Sequence, residues 1–250
     1  MRIIRKYQRF LRFCIVGGSG AIITFGITWL LTEFIGLWYM LSMVIAVAIA
    51  TVWNYNFNLF WTFRNSTKFT DASYEWESFY NGNPIQKWWK QSIAKTVWKW
   101  IPDNGLLLDI GCGSSPIISK YNNAIGIDPN ADKIRFIREK LPHTRFGTEI
   151  IGSQYDNVLC IEVLEHLGKP LSMITQISTL LKTGGKVIFA TPDYDKYLWH
   201  LAERFTPYKD DHRTKLNKEA LEILCKSVAL YPVKFKYIAG CDLVEMFEKR

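Results

Sequence analysis

The stretch with the most chemical content is Leu106-Leu107-Leu108-Asp109-Ile110-Gly111-Cys112-Gly113-Ser114-Ser115-Pro116. Four apolar residues with one acid near their end, followed by a glycine-rich turn, predict a buried parallel strand running into a ligand loop. Gly111 and Gly113 let the backbone approach a ligand without a Cβ clash. Pro116 stands where a following helix would start, a position that suits its fixed φ. A helix N-terminus there would offer free N–H donors and a positive dipole end to a carboxylate or phosphate. Ala124-Ile125-Gly126-Ile127-Asp128 is a second apolar run ending in an acid, nineteen residues after Asp109. An acid at the tip of a second strand can accept hydrogen bonds from two ribose hydroxyls. Further on, Glu162-Val163-Leu164-Glu165-His166 sets two acids at i and i+3 with an imidazole beside the second, groups able to take a proton from an acceptor hydroxyl.

Two nucleotide-type ligands use a turn of this kind. A dinucleotide fingerprint requires a third glycine at position 116, and Pro116 stands there, which disfavours a nicotinamide oxidoreductase. The stretch instead resembles motif I of the class I S-adenosylmethionine (SAM) methyltransferases, acid-x-Gly-x-Gly-x-Gly, with Ser115 in place of the last glycine. Tyr155-Asp156-Asn157-Val158-Leu159-Cys160-Ile161 and its exit through His166 resemble the fourth strand of that family. Leu180 to Pro192 resembles the helix end, glycine turn and fifth strand that follow.

The resemblance implies SAM as cofactor, held by Asp109, Gly111, Cys112, Gly113, Ser115, Asp128, Pro129 and Glu162. It places His166 and Glu165 as catalytic candidates at the strand tips, beside Asp193 and Tyr194, and Thr148 and Glu149 near the adenine. Glu162-x-x-Glu165-His166 with His212, in Asp210-Asp211-His212, also resembles a set of two acids and two histidines. In the small-RNA 2′-O-methyltransferases and the ubiquinone-pathway O-methyltransferases such a set holds a divalent ion. Acid-x-x-Glu-His after strand four is widespread in methyltransferases without a metal, and no metal is assigned.

Other elements must carry these residues. No charge occurs from Phe13 to Thr32 or from Phe34 to Phe63, and each run is long enough to cross a hydrocarbon core of roughly 30 Å as a helix. Two transmembrane helices are expected, at about 11–32 and 38–63, joined by a turn with Trp38 and Tyr39 as interfacial anchors. A cleaved signal peptide would have a shorter apolar core and no second span behind it. Gly17, Gly18, Gly20 and Ala21, with Ala46 and Ala50, permit close helix approach, and Asn54 and Asn58 lie one turn apart on one face. Phe13-Cys14-Ile15-Val16-Gly17-Gly18 and the run from Asn54 to Arg64 resemble the GtrA-like membrane proteins. That family is linked to polyprenyl-phosphate-sugar handling and normally has four spans. Five basic residues precede helix one, Arg64 and Lys68 follow helix two, and Glu33 is the single charge in the turn. The positive-inside rule then puts both termini in the cytosol.

A polar linker, Asn65 to Tyr74, leads to an amphipathic helix from Ile85. In it Trp89, Ile93, Val97 and Ile101 form the apolar stripe, opposite Lys87, Gln91, Lys95 and Lys99. The stripe is expected to pack on the sheet, and the basic face to be solvated or to rest on anionic headgroups. Ile134 to Arg138 belongs to a helix, a weak third strand falls at 144–147, and Ala220–Leu230 is a helix. A hairpin turning at Ala239-Gly240 ends the chain. The fold class is therefore α/β, a Rossmann-like doubly wound seven-stranded sheet (residues 69–250) behind an α-helical transmembrane hairpin (residues 1–68).

The chain carries a net charge of +8, and residues 1–68 hold seven basic residues against Glu33 alone. The excess therefore belongs to the membrane segment rather than to a nucleic-acid face, and no nucleic-acid partner is expected. Five scattered cysteines fit a reducing cytosol. The leading expectation is a membrane-anchored SAM-dependent methyltransferase that acts at the cytoplasmic face on a lipid, lipid-linked or other small-molecule acceptor. Its partner is the lipid bilayer, with oligomers through the spanning helices compatible. The alternative is a GtrA-like accessory protein for polyprenyl-phosphate-sugar binding or translocation whose cytosolic domain only binds SAM.

Overall fold

The structure, a computed structural model, describes the backbone of residues 2–58, 71–150, 152, 154–203 and 212–250, and their side chains from Leu11 onward except Arg12. The expected end of helix two beyond Asn58, with Phe60, Trp61, Phe63, Arg64 and Lys68, lies outside the described residues, as do Asp210 and Asp211. The chain forms two compact units, Met1–Ser66 and Thr67–Arg250.

The first unit is a hairpin of α1 (Arg2–Glu33) and α2 (Tyr39–Phe57). Its segments Phe13–Glu33 and Tyr39–Phe57 are long and apolar enough to cross a membrane. Gly20 is the close-approach residue, since a Cβ there would lie 2.3 Å from the Asn54 amide nitrogen. Ala46 and Ala50 are buried on the facing helix. Trp53 Nε1 donates to Ser19 Oγ at 3.0 Å across the seam. Gly17 and Gly18, expected in this seam, instead face outward with nothing within 4 Å of an added Cβ. The helical period explains the difference: Gly20 lies one turn from Val16, and both are buried, whereas Gly17 and Gly18 fall outside that stripe.

In the second unit α3 (Tyr74–Tyr80) and α4 (Pro84–Trp100) precede the sheet. Asn83 caps α4 by accepting the Gln86 amide at 2.9 Å, and Pro84 occupies the first helical position. The strands are β1 (Leu107–Ile110), β2 (Ala124–Ile127), β3 (Arg145–Gly147), β4 (Tyr155–Ile161), β5 (Leu181–Pro192), β6 (Leu230–Ile238) and β7 (Asp242–Lys249). The order is β3-β2-β1-β4-β5-β7-β6, parallel except for β7, which runs antiparallel between β5 and β6. β1 lies between β2 and β4, so the order reverses there and opens a crevice at the carboxyl ends of these strands. Helices α5 (Ala131–Lys140), α6 (Pro170–Leu180), α7 (Tyr197–Glu203) and α8 (Lys218–Lys226) complete the unit.

Side-chain alternation sends Leu107 and Leu159 to one face, where they pack with Ile93, Val97 and Ile101 of α4. Leu108, Ile110, Val158 and Phe189 go to the other, against Ile174 and Ile177 of α6 and Leu221 of α8. The apolar stripe of α4 is thus core, as its spacing predicts.

Two local expectations change. Pro116 is followed by a single 3₁₀ turn, Ile117–Lys120, instead of an α-helix. The Gly184-Gly185 turn is absorbed into β5 as an irregularity in its register with β4, with Gly184 at φ +76°. Phe189 is fully buried and meets Phe247 edge-on, ring centroids 5.8 Å apart. Phe189→Ala should cost roughly 3–5 kcal/mol through the cavity it leaves, read as a fall in the unfolding midpoint of the full chain; an unchanged midpoint would contradict this packing.

Candidate cofactor and acceptor site

A cavity of about 340 Å³ opens at the strand reversal. Of the residues expected to hold a cofactor, Asp109, Gly111, Cys112, Ser115, Asp128, Pro129 and Glu162 line it. Gly113 enters through its backbone: its N–H donates to Asp128 Oδ2 at 2.9 Å, while Asp128 Oδ1 accepts the Asn130 amide at 2.8 Å. The tip of β2 is thereby tied to the glycine turn, and the carboxylate keeps lone pairs for further donors. Gly111 and Gly113 have φ of +71° and +52°, a conformation that only glycine adopts freely.

Three residues that sequence reasoning missed complete this cavity. Glu75, on α3, accepts from the Ser114 amide (3.1 Å) and hydroxyl (2.7 Å), and pairs with Lys133 of α5. Lys90, on α4, pairs with Glu162. The signals were slight: an acid inside an aromatic stretch, and lysines at the margin of amphipathic helices. Glu162 sits at φ +55°, unusual for a residue with a side chain. The bend it makes on leaving β4 is fixed by its amide donating to the Ala190 carbonyl at 2.7 Å. Thr148 lines a separate depression with Arg135 and Arg138, away from this cavity.

Burial dominates the electrostatics. Asp109 is buried at the end of β1, and that burial, reinforced by the Asp128 charge, pushes its carboxyl up to about 8. Glu165 is 2 % exposed, accepts from Thr191 Oγ1 at 3.1 Å, and is raised to about 8 by burial and then by the Glu162 charge. His166 lines the cavity, whereas Glu165 lies behind it and is not part of the wall. His212 reaches the same place from the chain before α8. Its ring centroid is 4.9 Å from that of His166, its Nδ1 is 2.5 Å from the Tyr194 hydroxyl, and its plane stacks on Trp199 within 7°.

Glu165, His166 and His212 each bring one ligand atom within 4.8 Å of the others. Glu162, the fourth member of the resembling metal set, is engaged by Lys90 instead. Asp193 lies outside the cavity lining and accepts from the Tyr237 hydroxyl at 2.6 Å and the Asp195 amide at 3.0 Å.

A doubly wound seven-stranded sheet with acids at the tips of its first two strands and a glycine turn between them is the class I methyltransferase architecture. The chain belongs to the methyltransferase-domain family, whose model matches residues 85–232; residues 12–93 match the GtrA/DPMS transmembrane domain. It thus joins a methyltransferase domain to an N-terminal segment that matches a transmembrane domain. The ubiquinone biosynthesis O-methyltransferase of Erwinia tasmaniensis is 26% identical over 156 residues, covering 55% of this chain and 60% of that protein. For the Bordetella avium protein of the same name the values are 28% over 142 residues, 50% and 56%. The chain spans little more than half the length of these curated relatives. Among solved structures, a SAM-dependent methyltransferase from Thermotoga maritima superposes with a TM-score of 0.59 at 18% identity, covering 73% of this chain and 98% of that one. The magnesium protoporphyrin IX methyltransferase of Synechocystis PCC 6803 with bound SAM gives 0.54 at 16% identity, covering 74% and 93%. At these identities the likeness is one of fold.

The cavity suits SAM on charge. Three carboxylates (Glu75, Asp128, Glu162) and the Asp109 carboxyl, whose ionised form a cation would favour, against two lysines (Lys90, Lys133) suit a ligand with a sulfonium, an ammonium and one carboxylate. Two outcomes are expected. Asp128→Ala should weaken SAM binding by roughly 1–3 kcal/mol, the size of charged hydrogen bonds left unmade. Gly113→Val should abolish it, because a Cβ there would lie 2.8 Å from the Glu75 carboxyl carbon; calorimetry with SAM, and with NADH as control, reads both. For stability, an Asp109 pKa raised above its unfolded value means that the folded ligand-free chain binds the extra proton. Its contribution is full below about 4 and is lost as pH rises through about 8. The unfolding midpoint should therefore fall over that window, and Asp109→Asn should flatten the slope.

Proposed function

We propose that this chain methylates a hydroxyl of a lipid or lipid-linked acceptor at the cytoplasmic face of a membrane, with SAM as donor. The observation that carries the reading is the pairing of the SAM-type cavity with His166 at its wall and His212 against the His166 ring, in a chain whose N-terminal segment matches a transmembrane domain. The O-methyltransferase names of the curated relatives support a hydroxyl acceptor. The charge bias around the two spans supports a cytosolic placement of both termini.

In this reading Asp109, Asp128 and the glycine turn, whose amides are held by Ile127, Asp128 and Glu75, form the cofactor wall, with Glu75 and Lys90 closing the cavity from α3 and α4. SAM supplies a methyl group already activated by its sulfonium. His166 faces the cavity and takes the acceptor proton. His212, fixed by Trp199 and the Tyr194 hydroxyl, and Glu165, fixed by Thr191, hold the His166 loop in register. Excluding water and aligning the acceptor are worth several kcal/mol in such a reaction.

A second reading has one observation in its favour, the convergence of Glu165, His166 and His212. A carboxylate and two imidazoles suit a divalent ion such as Zn²⁺, Mn²⁺ or Mg²⁺, which would lower the pKa of an acceptor hydroxyl.

Label from methyl-labelled SAM should appear in a fractionated host lipid extract with the full chain and not without it. His166→Ala should lower the rate about 10²-fold or more, while Asp128→Ala should act through cofactor affinity. Loss of turnover in chelator, restored by one added ion, would select the metal reading; full turnover in chelator would leave His166 as base. SAM binding without transfer to any lipid fraction would overturn the enzyme reading in favour of a SAM-binding accessory protein. Reporter fusions should place Glu33 outside and Arg250 in the cytosol, and an external C-terminus would overturn the localisation.

A further inference from the structure

Helix α7 has two faces with different tasks. Its inner face carries Trp199, 6 % exposed, which stacks on His212 and packs with Tyr194 and Cys241. Its outer face shows Tyr197 (77 % exposed), Leu198 and Leu201 to solvent. Trp89 of α4 packs against the same cluster, and within one turn of it on α4 Ile85 and Trp88 are half exposed. Five large apolar side chains thus flank one buried cluster, and that cluster holds the acceptor-side histidine. Lys87 and Lys196 are next in sequence to Trp88 and Tyr197, and the Lys196 ammonium lies 4.8 Å from the Tyr237 ring centre.

Tyrosine, tryptophan and leucine with lysines at the margin make the composition of a surface that sits at a headgroup boundary, rings at the interface and ammonium groups toward anionic lipid. In the proposed reading the two apolar helices of the N-terminal unit tether the chain to a bilayer. Fifteen residues, 59–73, join α2 and its Asn58 cap to α3, and a segment of that length reaches at most roughly 50 Å.

We propose that the outer face of α7, with Ile85 and Trp88 of α4, docks on the anionic bilayer surface. Trp199, which stacks on the His212 ring beside His166, is then carried by the element that touches the lipid. The inference rests on the methyltransferase reading for its purpose and deepens it: an acceptor would arrive from the membrane plane. The occupant is the bilayer surface rather than a second copy of the chain.

The test uses the full chain in vesicles of mixed phosphatidylglycerol and phosphatidylcholine, in a Cys14→Ser background. Cys14 is the exposed cysteine among the described residues, and the other four are buried. A nitroxide is attached at Leu198→Cys, at Trp88→Cys and, as control, at Arg135→Cys on α5, toward the opposite edge of the sheet. The expected result is that the labels at 198 and 88 relax more with oxygen than with a water-soluble nickel chelate, and the label at 135 the reverse. Nickel-dominated relaxation at all three positions would overturn the proposal. So would spin–spin broadening at 198, which would mean that a second copy covers the face. SAM calorimetry on the same vesicles separates the two readings. SAM binding with a water-exposed label at 198 sinks the docking surface alone. A lipid-exposed label on a chain that binds no SAM sinks the methyltransferase reading and keeps the surface.

Discussion

The hydrogen bond from the Gly113 amide to Asp128 is the contact on which the rest of the site depends. Residues 111–123 return from β1 to β2 through one 3₁₀ turn, so no α-helix stands behind the loop to order it or to lend it a dipole. The Ile127 carbonyl takes the amides of Gly111 and Cys112, and carboxylates take the next two. Asp128 takes the amide of Gly113, and through its other oxygen it takes Asn130, so one side chain fixes the glycine turn and the turn into α5. Glu75 takes Ser114 in the same way. That second contact makes the segment before the sheet part of the site, because α3 and α4 must be in place for Glu75 and Lys90 to reach it. The packing of α4 on the sheet with Ile117, Ile118 and Tyr121 is therefore a condition of cofactor binding as well as of folding.

Burying so many ionisable groups in one crevice is costly unless they are paired. Lys133 and Lys90 offset Glu75 and Glu162, and Asp128 is covered by two amides. Among the described residues no such cation acts on Asp109, and burial, with the Asp128 charge, raises its pKa accordingly. The one carboxyl left uncompensated is the one that gains most from a cationic ligand, while the paired ones shape the cavity beforehand. Preorganisation of this sort keeps the cost of ordering off the binding step.

What the sequence made legible follows a physical pattern. Strand tips with acids, glycines at positive φ and the apolar stripe of α4 were all readable, because burial and backbone geometry restrict residue type there. Asp109, Gly111 and Asp128 stand at the predicted places for that reason. The 3₁₀ turn after Pro116 was not readable, since proline opens an α-helix and a 3₁₀ turn equally well. The outward Gly17 and Gly18 were misassigned because small residues mark a helix seam only when their angular position is known. Glu75, Lys90 and Lys133 had no local signature, as charges on short or amphipathic helices ordinarily face water. α7 was missed because a seven-residue helix with Tyr197, Leu198 and Leu201 outside and Trp199 inside is apolar on both sides and shows no period.

The acceptor side is built differently from the cofactor side, and the difference locates specificity. Asp109, Gly111, Gly113, Asp128 and Glu162 all lie in or directly after β1, β2 and β4, so the sheet itself sets their spacing. Tyr194, Trp199 and His212 come from between β5 and α8 and are not strand residues. They are aligned by one another: Trp199 stacks on His212, and His212 meets the Tyr194 hydroxyl. The Glu165 carbonyl accepts the amides of Arg213 and Thr214 at 2.8 and 3.0 Å, tying that stretch back to the tip of β4. Those two backbone bonds set the distance between His166 and His212. A change of acceptor can therefore proceed by altering residues 193–217 while the SAM half stays fixed, provided the Glu165 carbonyl keeps both amides.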